Sequence, residues 1–454
     1  MAKRKPKVTE VVDAATGQST VDDFFAKVVQ DVHAKWQKKG ILVGHNPQIT
    51  VLPVPAFIIR YLLQNEGLPL SCCYQAVGEQ ASYKSTFAAE VMRWHVMCGG
   101  KGILLEAETK ATPDLRMSVV NWDPNAIHVE DCEMQEHWQD KCTDLTNRIQ
   151  TNAERVSGPG RTQPYCIVVD SLTGKASAQT LKKIDEEGHA GLHYPVEAKN
   201  IADYMRAYPQ KLLGWPWTFF GVNHMKPSTD ERGNIVYNIP GGYALKFQCA
   251  GIFELARMGQ IKEFANYKAA NISIGTIKNS YGPDRIRIQV RFKTWLNEDA
   301  PGVHRMHSRF EWWEAGIFLL AEGIGLSQAR QKSLLPRLKE ACDVKIKSGG
   351  SAGKLYYSNR LEVPSSEAMS AHDLGVLLET KPEVLADVYT VLGIQRRPFF
   401  RPGVDFMSQL EEHAHVSAQA DAADDAVRRL AALQTANLYT EASGPADDSG
   451  DDDE

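Results

Sequence analysis

Four short apolar runs punctuate the first half of the chain: CCYQAV (72–77), GILLEAE (102–108), YCIVVDSL (165–172) and WTFFGVN (217–223). Continuous runs of this length, as opposed to alternating ones, predict strands buried on both faces. Between them lie segments with helical spacing, STFAAEVMRWHVMC and VEAKNIADYMRAY. Buried strands separated by helices predict an α/β fold with a mostly parallel sheet flanked by helices. IRIQVRFKTW (286–295) alternates, as a half-exposed strand does. From about Phe310 the pattern turns helical, in EWWEAGIFLLAEGI and HDLGVLLETKPEVLADVYTVLG, around a Gly-rich hairpin-like piece, SGGSAGKLYYS. Residues 20–40, TVDDFFAKVVQDVHAKWQKKG, predict an early amphipathic helix that stops at Gly40. The expected organisation is a basic tail and helix (1–45), an α/β core (46–308), a small α+β C-terminal domain (309–435) and an acidic tail (436–454).

Composition narrows the classes. A chain of 454 residues has room for two or three domains, and 43% apolar with 24% charged residues is ordinary for a soluble globular protein. A net charge of -5 excludes a chain-wide basic field, so any polyanion surface must be local. The charge is polarised between a basic start, MAKRKPK, and an acidic end, DDSGDDDE, both expected to be solvated. The eight cysteines show no paired C-x-x-C, which predicts a reduced compartment and no cysteine metal site. No apolar run reaches membrane-spanning length and no signal-type segment follows the basic start, so neither secretion nor membrane insertion is expected.

Chemistry concentrates at the ends of the apolar runs. GEQASYKST comprises Gly78, Glu79, Gln80, Ala81, Ser82, Tyr83, Lys84, Ser85 and Thr86. It matches the phosphate-binding pattern G-x-x-x-x-G-K-[ST] except that Tyr83 replaces the second Gly. A strand runs into Gly78 and a helix follows Lys84, the context in which backbone N–H groups and a helix N-terminus face an anion. Lys84 would then reach the β/γ-phosphates of ATP, and Ser85 would offer its hydroxyl to Mg²⁺. Tyr83 is expected on ordinary right-handed backbone, since positive φ would cost roughly 1–2 kcal/mol. Glu106 and Glu108 end the second run, where a carboxylate can orient an attacking water; the blander reading is a solvated strand end. Asp170 ends the third run in the Walker-B manner, and Asn223-His224 end the fourth as a polar pair able to sense the γ-phosphate. Polar stretches follow two of these tips, TGKASAQTLKKIDEEGHAG and MKPSTDERGNIVYNIPGG, the second too rich in Gly and Pro for regular structure. Trp215, Trp217, Trp312 and Trp313 sit in apolar contexts and read as core before base-stacking platforms. QRRPFFRPG (395–403) is either a duplex-DNA contact or a surface turn. His189 and His193 lack partners for a metal.

These motifs together resemble the RecA recombinases. EGLPLSCCYQAVGEQASYKST is similar to that family's strand and P-loop entry, EAETKATPDL to its catalytic-Glu strand, and VVDSL to its Walker B. GGYALKF resembles the signature after its second DNA-binding loop, and the order holds from about residue 50 to 310, more weakly through FEWWEAGIFLLAEG and GKLYYS. An aromatic before the P-loop Lys and a His ending the sensor strand resemble the T4-like phage (UvsX-type) branch.

The resemblance implies a RecA-like P-loop ATPase core, an N-terminal helical arm that docks on the next protomer, ATP and Mg²⁺ as cofactors, and a DNA-dependent ATPase. Such a protein forms helical filaments on single-stranded DNA and exchanges strands with homologous duplex DNA. Single-strand-binding and loader proteins would be further partners, and the location would be cytoplasmic, that of the bacterial host if phage-encoded. Glu108 would be the general base, with Lys84 and His224 completing the catalytic set and His224 the γ-phosphate switch. Ser85 and Asp170 would hold the metal shell. The loops near 176–192 and 225–240, with Lys199, Arg206, Lys226, Gly241 and Gly242, would hold DNA. Lys246 and Lys278 would reach a nucleotide bound by the neighbouring subunit, although Ser280 stands where the family has a second lysine. The acidic tail would compete with DNA phosphate for the binding groove. Two other readings are a ring-shaped RecA-fold helicase and a non-catalytic paralogue that loads or caps filaments. The GGYALKF segment argues against the first, and the intact Lys84, Glu108 and Asp170 against the second.

Overall fold

A computed structural model describes residues 49–108, 126–156, 161–187, 196–229, 232–264, 266–300, 303–348, 354–410 and 412. The early helix over 20–40, His189, His193 and both charged ends lie outside the described residues. Two short strands, β1 (Val51–Pro53) and β2 (Gly67–Pro69), pair antiparallel around helix α1 (Phe57–Leu63). The four apolar runs then become β3 (Cys72–Gly78), β4 (Lys101–Glu106), β6 (Tyr165–Asp170) and β7 (Trp217–His224), with β5 (Ile127–Asp131) on the outer edge. All seven residues of β3 are buried, as the unbroken run requires.

Helix α2 (Lys84–Met97) covers one face of this sheet. The other carries α3 (Gln135–Val156), α5 (Val196–Ala207) and α6 (Pro209–Leu212), packed through Trp138, Ile201, Met205 and Leu212. Helix α4 (Ala178–Glu187) forms within the polar stretch after Asp170. The second polar stretch also departs from expectation. It folds into a hairpin of β8 (Lys226–Thr229) and β9 (Ile235–Asn238), because Ile235, Val236 and Tyr237 form a short β-prone run that pairs back across the Gly233 turn. Helix α7 (Gly242–Gln248) follows, and then the long strands β10 (Cys249–Glu263), β11 (Lys268–Asn279), β12 (Arg287–Ala300) and β13 (Val303–Phe310).

Nine of the described strands form one sheet in the order β13-β12-β11-β10-β3-β7-β6-β4-β5. Pairing is parallel from β10 to β5 and antiparallel from β10 to β13. Residues beyond Phe310 form α8 (Trp312–Glu322), α9 (Gln328–Cys342), the hairpin β14 (Val344–Ser348) with β15 (Lys354–Ser358), α10 (Ala371–Glu379) and α11 (Pro382–Leu392). They share one hydrophobic cluster with α2 and the β10–β12 face. At its centre the Phe87 ring meets Trp94, Phe220, Phe253, Phe310 and Trp312 at centroid distances of 5.4–6.4 Å. Glu90, buried beneath, accepts from the indoles of Trp94 (3.2 Å) and Trp312 (3.0 Å).

Trp215, Trp217 and Trp312 are thus core residues, and Trp313 is partly buried against the same cluster. In QRRPFFRPG, the backbone at Pro398 and Phe400 bonds to Val51 on β1, which makes this segment a structural edge of the fold. All eight cysteines are free, and among the described residues no cluster of His, Cys, Asp or Glu could hold a metal. No described helix is long and apolar enough to cross a membrane.

Candidate nucleotide site

Strand register assembles the site. Parallel pairing sets Gly78 opposite His224, Asp170 opposite Val222 and Glu106 opposite Asp170. The carboxyl ends of β3, β7, β6 and β4 therefore open onto one edge of the sheet, where ligands of open α/β folds bind. Residues separated by up to 146 positions along the chain (78 to 224) become neighbours there.

The loop from Gly78 to Tyr83 curls tightly between β3 and α2. A Cβ on Gly78 would lie 2.3 Å from the Leu255 carbonyl oxygen and 2.7 Å from Ser82 Oγ, so only glycine fits. Ser82 Oγ donates to the Glu79 carbonyl at 2.8 Å. Lys84, 5% exposed, donates from Nζ to the same carbonyl at 2.6 Å and to Ser82 Oγ at 3.3 Å. Gln80 and Ala81 are exposed on the loop rim, and Thr86 is half-buried on the first turn of α2. A cavity of about 250 Å³ adjoins the loop, walled by Gly78 to Ser82, by Met225 and Tyr237 of the second polar stretch, and by Glu254 to Arg257 of β10.

Tyr83 corrects a sequence expectation. Its backbone is left-handed, φ 67° and ψ 26°, not right-handed. The loop keeps the path that the usual glycine would take, and the strain of roughly 1–2 kcal/mol is borne by a tyrosine. Its ring packs against Phe292, with centroids 5.0 Å apart, and an aromatic contact of about 0.5–1.5 kcal/mol offsets much of that strain.

Around the loop stand the titratable groups. Asp170 is buried, and burial pushes its carboxyl above the ordinary range. A hydrogen bond from Ser85 and the positive charge of Lys84 oppose that rise, while the nearby Glu108 carboxylate adds to it. Glu108 lies just beyond β4, its backbone N–H donating to Glu106 Oε1 at 3.1 Å. Its own Oε1 meets His224 Nε2 at 2.5 Å and accepts from Ser171 Oγ at 2.9 Å. Glu106 is 1% exposed, so the two carboxylates separate cleanly: Glu106 is interior and Glu108 faces the site.

Asn223 joins the two polar stretches. Its Oδ1 accepts from Thr173 Oγ1 (2.9 Å) and its Nδ2 donates to the Pro240 carbonyl (2.8 Å). Lys199 and Arg206 are exposed on α5, Arg206 paired with Asp203 at 2.5 Å. Lys226 is exposed on β8. Gly241 has φ 100° at the start of α7, and Gly242 is the first residue of that helix. Lys278 donates to the carbonyls of Lys246 (2.9 Å) and Phe247 (2.8 Å) at the end of α7, which places Lys246 and Lys278 together and outside the loop's own cavity.

Two residues of the site lie outside the expected set. Ser171 follows Asp170 directly and carries a readable signal, a hydroxyl at a strand tip. Tyr237 carries none, since the cavity it walls with Glu79 joins positions more than 150 apart (79 to 237).

Fold and site together define a RecA-like α/β core. The chain is 22% identical over 293 residues to the DNA repair protein recA homolog 3, mitochondrial, of Arabidopsis thaliana, covering 62% of this chain and 63% of that protein. It is 20% identical over 244 residues to Protein RecA of Rhodopirellula baltica (53% of this chain, 60% of the relative). Protein RecA of Kineococcus radiotolerans is 23% identical over 242 residues (52% and 63%). The chain thus spans about three-fifths of the length of each relative. This distant similarity supports a RecA-family member, while no protein-family model matches the chain.

Proposed function

We propose that the chain is a DNA-dependent ATPase that assembles into helical filaments on single-stranded DNA and promotes homologous pairing and strand exchange. The observation that carries this reading is the meeting of Lys84, Asp170, Glu108 and His224 at one sheet edge, from which both polar stretches also depart. The donor set fits Mg²⁺-ATP. Lys84 supplies an ammonium inside the loop, Ser85 lies close enough to Asp170 to oppose the rise of its carboxyl pKa, as a metal-shell pair would, and the N-terminus of α2 faces the loop. Bound Mg²⁺ would neutralise charge developing on the phosphates.

Glu108, held by His224 and Ser171, is oriented to take a proton from a water beside the γ-phosphate. His224 ends β7, and the hairpin follows it directly, so a change in its bond to Glu108 passes to β8 and β9. Asn223 would carry the same change to the first polar stretch. Lys199, Arg206 and Lys226 would grip DNA phosphates while bases stay free to pair. Lys246 and Lys278 would complete the site of an adjoining subunit.

In this reading residues 1–45 are the assembly arm, 46–308 the ATPase core, 309–435 the C-terminal domain and 436–454 an acidic tail. Tyr83 and His224 favour the T4-like phage branch, and a cytoplasmic location goes with it. Hydrolysis measured with and without single-stranded DNA tests the proposal: stimulation in the wild type and its loss in Lys84→Ala are expected. A wild type indifferent to DNA would sink it. Electron microscopy with ATP and single-stranded DNA separates the alternatives, as filaments, the rings of a helicase, or neither for a loading paralogue.

A further inference from the structure

A second polar cavity, of about 810 Å³, lies where the start of β12 meets α1 and the turn between α8 and α9, and it shares no lining residue with the cavity beside Gly78 to Ser82. Arg285, Arg287 and Arg330 line it with Tyr61, Ser327 and one carboxylate, Asp284. Arg287 is already held, by Glu254 at 2.5 Å and Ser273 Oγ at 3.1 Å, and Asp284 is spent on the Asn279 N–H. The other two guanidiniums are uncommitted. The Arg285 side chain makes no hydrogen bond or ion pair among the described residues, and only its backbone N–H is engaged, at 2.8 Å from the Thr276 carbonyl oxygen. Arg330 points a single donor, Nη1, at the Tyr61 oxygen from 3.4 Å.

Tyr61 is 2% exposed, and burial holds its pKa above the ordinary value, so the hydroxyl keeps its proton. A guanidinium can only donate, so the Tyr61 oxygen accepts from Arg330 and its own O–H finds no acceptor among the described residues. A buried hydroxyl in that position calls for an acceptor from a ligand. The N-terminus of the 15-residue helix α9 faces the same space: Ser327 Oγ accepts from the Arg330 N–H at 3.5 Å, which leaves the N–H groups of Gln328 and Ala329 at the helix's positive end.

We propose that this cavity binds a terminal phosphate group, that of a phosphate monoester or a pyrophosphate, at a site separate from the nucleotide loop. Its donors come from three elements: Tyr61 on α1, Arg285 on the turn into β12, and Arg330 with the N-terminus of α9. Donors spread over several directions match tetrahedral oxygens, not the single plane of a carboxylate. A terminal phosphate also brings three strong acceptor oxygens and close to two negative charges, more than the phosphodiester of a DNA backbone carries.

Hydrogen exchange over residues 324–331 of the full-length chain reads the site directly, with inorganic pyrophosphate titrated at fixed ionic strength. Exchange should slow as pyrophosphate binds. The Kd should weaken about tenfold or more in Tyr61→Phe and in Arg285→Ala, each of which removes a hydrogen bond to a charged group. Tyr61→Phe keeps the buried ring and Arg285 is exposed, so neither substitution opens the core. Lys84→Ala should leave this local response as it is. No slowing in the wild type, or variants that respond as the wild type does, would overturn the inference. So would a response lost in Lys84→Ala, which would originate at the phosphate-binding loop. Malonate as effective as pyrophosphate would overturn the choice of phosphate over carboxylate, and a duplex oligonucleotide that slows exchange where pyrophosphate does not would overturn the choice of a terminal phosphate over a backbone one. A wild type that fails to hydrolyse ATP, alongside an intact exchange response, would instead count against the proposed function and leave this site standing.

Discussion

Replacing Tyr83 by two different small residues separates what its ring contributes from what its backbone costs. Both Tyr83→Ala and Tyr83→Gly lose the contact with Phe292, centroids 5.0 Å away. That loss is about 0.5–1.5 kcal/mol of aromatic interaction, plus about 1 kcal/mol for a half-buried side chain. Alanine keeps the left-handed strain at φ 67°, so Tyr83→Ala should be less stable than the wild type by about 2 kcal/mol. Glycine removes the strain of roughly 1–2 kcal/mol and adds about 0.4–1 kcal/mol of unfolded-chain entropy. Tyr83→Gly should therefore lie about 1 kcal/mol above Tyr83→Ala and still below the wild type. Urea denaturation of the three chains, compared at equal slope, reads the order directly. Alanine equal to or more stable than glycine would refute the assignment of strain to this residue.

Three further outcomes are expected. Glu108→Gln should keep nucleotide binding by equilibrium dialysis while hydrolysis falls by about 10²-fold or more, since the amide cannot take a proton. His95 is fully buried, with Nδ1 2.9 Å from the Val91 carbonyl and Nε2 2.9 Å from Thr218 Oγ1, and burial pulls its pKa down from 6.5 to about 4. The unfolded chain binds that proton first, so the stabilisation is complete above pH 6.5 and is lost as pH falls towards 4, by up to about 3 kcal/mol; His95→Gln should flatten this part of the stability–pH curve. Gly241→Ala should cost at least about 1–2 kcal/mol in denaturant unfolding, because φ is 100° and the new Cβ would lie 2.9 Å from Leu245 Cδ2.

The strands, their polar tips and the loop are legible in the amino-acid order alone. Those features are local: an apolar run, the residue that ends it, and a Gly and a Lys at fixed spacing within one turn of backbone. The same locality made Lys84, Asp170, Glu108 and His224 legible as separate candidates before any strand was paired. The resemblance to RecA recombinases set them in order, but not in contact. Their contacts depend on pairing across long separations, which no local pattern encodes. Register brings Gly78 beside His224, and side-chain packing across the sheet edge joins His224 to Glu108 and leaves Glu106 buried.

Tyr83 and the stretch after His224 depart from expectation for the same reason. A bulky residue disfavours positive φ, yet Phe292 of a distant strand holds the Tyr83 ring and the loop needs that path. The stretch after His224 read as loop because Gly and Pro dominate it, yet Ile235–Asn238 finds Lys226–Thr229 as a partner. Local preferences amount to one or two kcal/mol, and packing against residues far away in sequence is large enough to overrule them.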